Sequence, residues 1–269
     1  MIDGIEETAN RAADLAREIL LAKRTTAAVY EKEGSYNLVT EADFQSQEAI
    51  RGTVLDKFPG HGFYGEEGAE KDSLETEHLW VVDPLDGTTN YAHGIPIFSV
   101  SIAYAYKGEV VYALVDDPIH DERFTARAGG GARINGKPVS VSRRGRMEES
   151  VIATGFYYDR GAIMRRTLRS IEALFDGGMR CIRRLGSAAI DMCWVAAGRM
   201  DGFFEYILSP WDFAAAMLIV REAGGTCTDC DGRELSIRSK NVIASNGLIH
   251  KDLSRILEKT GGKKGSSGL

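Results

Sequence analysis

Residues 80–90 read WVVDPLDGTTN, an apolar strand running straight into two aspartates on either side of a proline. Carboxylates at the end of a buried strand are costly to desolvate unless something positive meets them. The pattern places the strand end at Asp83, lets Pro84 break the ladder, and gives Asp86-Gly87-Thr88-Thr89 the residue types of a turn entering a helix N-terminus. Asp83 and Asp86 can then converge on one point, while the amides of Gly87, Thr88 and Thr89 face outward as an anion site. A hard divalent cation between the carboxylates and a phosphate on the amides would satisfy both. Taken alone, a plainer reading also fits, in which Asp86 caps a helix and Asp83 starts a turn.

Composition bounds what such a site could serve. The chain has 269 residues, 43% hydrophobic and 27% charged, enough for one large core or two intimate ones. A formal net charge of -6 argues against a nucleic-acid surface, which normally carries a basic excess. No apolar run approaches the roughly 20 residues of a membrane span. The N-terminus, MIDGIEETANRAADLAREIL, is acidic and amphipathic rather than basic then apolar, so a cytoplasmic location is the expectation.

Working outward from the aspartates, Ile5, Ala9, Ala12, Ala16, Ile19 and Leu20 follow helical spacing, and Phe44, Ile50, Val54 and Phe58 suggest a second helix closed by Pro59 and Gly60. Strand-like runs follow at LWVVD, FSVSIAYAY and EVVYALVDD, the last two joined by KGE as a hairpin, so the sheet is at least partly antiparallel. Beyond SVIAT come helical stretches near 161–175, 187–199, 211–223 and 248–259 between short strands, an α/β layer arrangement. The Arg-rich segment SRRGRMEES marks the boundary between an α+β domain at 1–145, carrying most of the site, and an α/β domain at 146–259 that completes it. Its basic run reads as a solvated connection. Residues 260–269 carry almost no apolar content and read as a disordered tail.

Two motifs lead nowhere. Gly131 to Lys137, GARINGK, has the spacing of a P-loop, but Pro138 replaces the hydroxyl residue that would follow, and Asn135-Gly136 signals a hairpin. Cys227 and Cys230 form a lone C-x-x-C with no second ligand pair and no helix to open, which leaves reduced thiols in a strand and turn. Cys181 and Cys193 read as core fillers. There is no G-x-S-x-G elbow and no H-E-x-x-H pair, which excludes the common serine hydrolase and zinc protease signatures.

Three stretches taken in order, FYGEEGAE at 63–70, WVVDPLDGTTN, and SPWDFAAAMLIVREAGG at 209–225, resemble the inositol monophosphatase family of magnesium-dependent phosphatases. The D-P-[IL]-D-G-T motif is Asp83 to Thr88, and the W-D-x-[AG]-[AG] helix with its closing E-A-G-G is Trp211 to Gly225. Similarity continues through VTEAD at 39–43, GSAAIDMCWVAAGRMDGFFE at 186–205 and the hairpin above, so it spans nearly the whole chain. The resemblance implies a layered αβαβα sandwich of the sugar phosphatase type, of mixed α+β and α/β character. It also implies lithium sensitivity, a homodimer and a small phosphate monoester as substrate, while the charge and the lack of a long apolar run argue for no nucleic-acid or membrane partner.

It further implies roles. Glu66, Asp83 and the carbonyl of Leu85 would bind one magnesium, and Asp83, Asp86 and Asp212 a second, in a site that holds two or three Mg2+. These are the oxygen ligands magnesium prefers. Asp43 and Thr88 match the pair that orients and deprotonates the attacking water; Lys32 falls where the family has a mobile loop lysine. Ser187, Ala188 and Glu205 match substrate contacts, the carboxylate of Glu205 accepting sugar hydroxyls. Such an acid would repel a second phosphate and favours a polyol monophosphate. Arg183 and Arg184 in CIRRLGS point the other way, toward fructose 1,6-bisphosphate, unless they are surface charge at a sheet end. A nucleotide 3′-phosphatase ranks below both, because relatives with that activity read DGTKEF where this chain reads DGTTNY. A protein that keeps the fold for interaction alone is the alternative of another class.

The bland readings are specific too. Asp43 in TEAD is also a first-turn helix acid, as is Asp212. Asp116, Asp117, Asp191, Asp201 and Glu222 read as helix, turn and loop acids outside the metal site. Of the adjacent pair Glu66 and Glu67, only one should lead into the site.

Overall fold

The computed structural model describes residues 2–31, 38–68, 71–156, 158 and 160–260. In chain order the elements are α1 (Ile2–Lys23), β1 (Val29–Glu31), β2 (Leu38–Thr40), α2 (Glu41–Lys57), β3 (Gly62–Gly65), β4 (His78–Asp86) and α3 (Thr88–Ala92). Then come β5 (Ser99–Tyr106), β6 (Glu109–Asp117), β7 (Glu122–Arg127), β8 (Gly131–Ile134), β9 (Lys137–Pro138) and β10 (Val151–Thr154). The rest are α4 (Ala162–Asp176), β11 (Cys181–Arg183), α5 (Ala188–Ala196), β12 (Gly202–Glu205), α6 (Pro210–Glu222), β13 (Thr226–Thr228), β14 (Val242–Ser245) and α7 (His250–Thr260).

Strands β3 to β9 form a seven-stranded sheet in sequence order, antiparallel except where β3 runs parallel to β4. A five-stranded sheet is ordered β11-β10-β12-β14-β13, with β10 parallel to both its neighbours. Three apolar clusters weld these sheets to helices. In the first, the α1 stripe Ile5, Ala9, Ala12, Ala16 and Leu20 meets Ile50 and Val54 of α2 and Trp80 and Val82 of β4. Leu79 and Val81, on the opposite face of β4, join Phe203 and the body of α6 in the second. Phe204, turned the other way from Phe203, enters the third with Leu174, Leu253 and Leu257. The result is the layered α+β arrangement, αβαβα, with α5 and α6 between the sheets. That position explains why every residue from Phe213 to Val220 is buried: a helix covered on all sides has no polar face to keep.

The hairpin readings hold. Lys107-Gly108 and Asn135-Gly136 both turn through positive φ, the geometry of two-residue hairpins, so GARINGK pairs β8 with β9. Other expectations need correction. The β4 strand does not stop at Asp83: Pro84 and Leu85 bulge out, the register shifts, and Asp86 pairs again with Ser99. Phe44 is 44% exposed rather than core, because it stands on the face of α2 turned to the site. Cys193 is fully buried, but Cys181 sits half-buried on the edge strand β11.

Nor is the Arg-rich segment merely solvated. Asp201, wholly buried, accepts from Ser142 Oγ (2.5 Å), Arg144 Nε (2.8 Å) and the Val151 amide (2.8 Å), tying the connection to the second sheet. Thr260 belongs to α7 rather than to a tail, its hydroxyl 2.7 Å from Ser170 Oγ; residues 261–269 lie outside the described residues. Among the described residues no helix is long and apolar enough to cross a membrane.

His250 opens α7 buried between two hydroxyls, Nδ1 2.9 Å from Ser245 Oγ and Nε2 3.1 Å from Thr228 Oγ1. Burial holds its imidazole below the usual 6.5, so the folded protein prefers it neutral. The unfolded chain therefore binds the proton more readily, and this contribution, complete above the unfolded pKa of about 6.5, is lost as pH falls through the folded value. The difference in Tm between wild type and His250→Gln should shrink as pH is lowered below about 6.5. A difference constant from pH 5 to 8 in calorimetric scans would exclude a buried neutral imidazole.

Candidate active site

Between the two sheets lies a cavity of about 700 Å³. It is lined by Glu66, Glu67, Asp83, Leu85, Asp86, Gly87, Thr88, Thr89, Arg184, Ser187, Ala188, Asp191, Glu205 and Asp212 among others. Every sequence-predicted site residue within the described set is there except two. Asp43 stands behind Thr88, and Arg183 is exposed, its guanidinium turned to the carbonyl of Ile182, so only Arg184 of that pair reaches the cavity. Lys32 lies outside the described residues.

The bulge after Asp83 shapes the centre of the site. Asp83 Oδ1 accepts from the Leu85 amide (2.9 Å), and Leu85's carbonyl turns toward Thr88, whose Oγ1 is 3.1 Å away. Gly87 makes the turn into α3 at φ 97°; a Cβ there would sit 3.1 Å from the carbonyl of Ile97 and 3.2 Å from that of Gly186. Only glycine suits both the left-handed backbone and the close approach of the second half of the chain.

Asp43 and Asp212 reach the site by the same device. Each is the third residue of its helix in a capping box, spending one oxygen on the helix start. Asp43 Oδ2 accepts from the Thr40 amide (2.8 Å) and hydroxyl (2.6 Å); Asp212 Oδ2 accepts from the Ser209 amide (2.7 Å). The first-turn positions foreseen for these acids are thus real, the capping boxes add to them, and each carboxyl keeps a second oxygen outside its capping box. Asp43 Oδ1 is free of the cap and lies 3.1 Å from Thr88 Oγ1.

Four carboxyls, Glu66 just past β3, Asp83 and Asp86 on β4, and Asp212 on α6, face one cavity. Burial, then Glu66, Asp86 and Asp212, push Asp83 well above the usual carboxylate range; burial, then Glu66 and Asp86, do the same to Asp212. Asp86 rises only to about 6, since Ser187 Oγ (2.6 Å) and the Ala189 amide (2.8 Å) donate to its Oδ2. Asp43 reaches about 7 and Glu205 about 8, both chiefly by burial. Among the described residues no three His, Cys, Asp or Glu groups already stand as a closed metal cluster, as expected of acids that repel one another. The donor set nonetheless fits a hard divalent cation: all ligands are oxygen, and the only hydrogen bond to the Asp83 carboxyl among the described residues is the Leu85 amide.

Some functional neighbours escape sequence reading. Ser187 does not point at a ligand alone; it caps α5 and fixes Asp86. Gln47, one turn after Asp43 on α2, grips the Glu67 backbone at both ends, Oε1 to the amide (2.8 Å) and Nε2 to the carbonyl (2.7 Å). Asp191, set aside as a helix acid, lines the cavity 1% exposed with Oδ1 lacking a partner among the described residues. Asp116, Asp117 and Glu222 hold structure: Asp116 takes Arg123, Asp117 the turn to His120, and Glu222 the amides of Gly129 and Gly131.

Comparison with known proteins places the chain in a family. The family model described as the inositol monophosphatase family matches residues 1–261. The chain belongs to that family and is a phosphatase. It is 40% identical over 228 residues to an inositol-1-monophosphatase of Rhizobium meliloti, covering 84% of this chain and 85% of that one. It is 41% identical over 239 residues to a fructose-1,6-bisphosphatase/inositol-1-monophosphatase of Thermotoga maritima, covering 87% and 90%. Among solved structures it superposes on the extragenic suppressor protein suhB of Bartonella henselae at TM-score 0.88 and 40% identity, covering 95% and 98%. An IMPase/NADP phosphatase complexed with Mg2+ and phosphate superposes at TM-score 0.86 and 26% identity, covering 96% of each chain.

Proposed function

We propose that this phosphatase is a magnesium-dependent phosphomonoesterase that hydrolyses inositol monophosphate or a similar polyol or sugar phosphate. The observation that carries the reading is the convergence of Glu66, Asp83, Asp86 and Asp212 on a cavity that Thr88 also lines, with Asp43 hydrogen-bonded behind it. Glu66, Asp83 and the Leu85 carbonyl would hold one Mg2+ and Asp83, Asp86 and Asp212 another, in a complement of two or three; a solved relative complexed with Mg2+ and phosphate supports the choice of ion. Bound there, the ions supply Lewis-acid charge neutralisation for the phosphoryl group.

The chain supplies the rest. Thr88 Oγ1 has one proton and two acceptors at 3.1 Å, Asp43 Oδ1 and Leu85 O. With that proton donated in a hydrogen bond to Asp43 Oδ1, the hydroxyl's lone pairs accept from a water and aim its oxygen at phosphorus. The water oxygen bonds to phosphorus as the bond to the alcohol oxygen breaks, without a covalent phosphoenzyme; the water proton passes through Thr88 to the Asp43 carboxylate, and the departing alkoxide takes a proton from solvent water. The amides of Gly87, Thr88 and Thr89 bind phosphoryl oxygens. Ser187 and Ala188, at the start of α5, line the same side and hold Asp86 in place. Glu205 accepts hydroxyls of the leaving alcohol from the far wall, which it reaches because Gly155 has no side chain: a Cβ there would lie 2.0 Å from Oε2. We further propose a cytoplasmic homodimer with no nucleic-acid or membrane partner, inhibited by lithium. Phosphate release from inositol 1-phosphate with added Mg2+, abolished by chelator, is the test; no release from any phosphomonoester would favour an interaction protein.

A second reading, fructose 1,6-bisphosphate, draws on one observation. A side cavity of about 380 Å³ opens beside the first, sharing Thr89, Phe156, Tyr158 and Arg184, and adds His93 and Arg160, with no acid in its lining among the described residues. That is the charge a second phosphate needs. A nucleotide 3′-phosphate stays third.

Glu205 tests the first of these. With its carboxyl raised to about 8, it is mostly neutral at pH 7, where glutamine is a close mimic, and charged above pH 8. Glu205→Gln should therefore lower kcat/KM for inositol 1-phosphate relative to p-nitrophenyl phosphate little at pH 7 and by roughly 10-fold at pH 9, the value of a hydrogen bond to a charged acceptor. Equal losses on both substrates would show that Glu205 supports architecture instead.

A further inference from the structure

Glu66 has a difficult position. It follows β3, the edge strand of its sheet, one residue beyond the last paired position, Gly65 opposite Val82. It shares one cavity with Asp83 and Asp212, and like charges brought together there repel. Something must hold the loop against that push.

The Glu66 amide donates to the carbonyl of Val82 (3.1 Å), which extends the ladder by one bond. Its carbonyl accepts from Lys71 Nζ (2.8 Å), which also donates to the carbonyl of Gly65 (2.6 Å). The same ammonium lies 3.7 Å from the centre of the Trp211 ring and 5.6 Å from that of Tyr64. Trp211 immediately precedes Asp212, and its own carbonyl accepts from Ser101 Oγ on β5 (3.1 Å). One cation thus joins the backbone that carries Glu66 to the residue beside Asp212.

We infer that Lys71 is a positioning residue for the cation site: stacked on Trp211, it clamps the Glu66 peptide so that Glu66 and Asp212 keep their separation before any cation arrives. The inference rests on the metal reading above. Its logic is that of partners behind the ligands, which fix ligand orientation and whose loss typically costs 10- to 100-fold in metal affinity. The indole contributes because a partly desolvated ammonium over a tryptophan face is attracted to the ring. Tyr64, tilted at 5.5 Å from Trp211, completes the seat.

Calorimetric titration of the protein with MgCl2, without substrate, reads the effect directly. Lys71→Met should raise the Mg2+ Kd about 10-fold. At saturating Mg2+ the KM for a phosphomonoester should stay within about twofold, since Lys71 serves the cation and not the substrate. Lys71→Arg, which keeps a stacking cation with several donors, should recover most of the affinity. Trp211→Leu should weaken Mg2+ binding as Lys71→Met does, and the double variant should be little worse than either, because both break one clamp.

If Lys71→Met does not fold, Lys71→Gln, which keeps a donor but not the charge, should show an intermediate Kd. A Kd within twofold of wild type in Lys71→Met or Lys71→Gln overturns the inference. So does an unaffected Trp211→Leu, which would mean that charge alone matters. Absence of saturable Mg2+ binding in the wild type would instead sink the metal reading itself.

Discussion

Asp83→Asn is expected to lower kcat/KM by at least about 10²-fold at saturating Mg2+ while leaving the fold intact or firmer. The carboxyl is 1% exposed, and in the proposed site it serves both cations, so its loss removes one charge from each. A 10²-fold loss corresponds to about 2.7 kcal/mol of transition-state stabilisation. The stability prediction has the opposite sign. Burial and three acidic neighbours raise the folded pKa of Asp83 above its unfolded value, so near neutral pH its charge works against folding. A neutral amide removes that cost. In chelator the variant should melt at or above the wild-type Tm; in Mg2+ it should gain less than wild type does, because it binds the ligand more weakly. Near-normal turnover refutes the assignment, and a fall in Tm in chelator shows that Asp83 is structural first.

How much of this was legible beforehand follows from the range of the interactions. The T-E-A-D, D-P-L-D-G-T and S-P-W-D-F-A-A stretches are local, and the capping boxes of the first and last, the turn glycine of the second and the apolar helix can be read from neighbouring residues. The hairpin at Asn135-Gly136 is equally local. Contacts between residues far apart in the chain were not legible. Nothing in sequence shows that Ser187 bonds Asp86, that Gln47 grips Glu67, or that Asp201 anchors Arg144, since each depends on how layers stack. Pro84 misled for a related reason: a proline lacking its donor ends a strand only if the ladder cannot bulge around it, and here Ser99 recovers the pairing at Asp86. Phe44 obeyed helical spacing and still left the core, because the face of α2 beside Asp43 is claimed by the site.

Two of those long-range contacts, from Ser187 and Gln47, join local ones around the acids of the proposed site. Acids that repel one another must be held in place by neutral or positive groups, and the structure spends a serine hydroxyl, two helix starts, an amide side chain and an ammonium on doing so. Removing any one should disturb cation binding more than folding, since each secures one ligand in a layer whose apolar contacts remain.

In the proposed mechanism Thr88 is where positioning turns into chemistry, and Thr88→Ala should reduce kcat by roughly 10²- to 10⁴-fold with little change in KM. The hydroxyl is buried between Asp43 Oδ1 and Leu85 O, each at 3.1 Å, so it cannot be an ordinary solvated group. It is not needed to start α3 either, since Gly87 is the cap residue and no side chain caps that helix; the Tm should move little. Thr88→Ser keeps the hydroxyl and should retain most activity. Asp43→Asn should lose nearly as much as Thr88→Ala, because an amide nitrogen turned toward Oγ1 would reverse the polarity of the relay. If the two residues act as one unit, the double variant Asp43→Asn/Thr88→Ala should be no more than a few-fold worse than the poorer single one. Full kcat in Thr88→Ala removes the hydroxyl from the reaction. Losses that multiply in the double variant would separate the pair, leaving Asp43 as the cap of α2 and Thr88 to act alone.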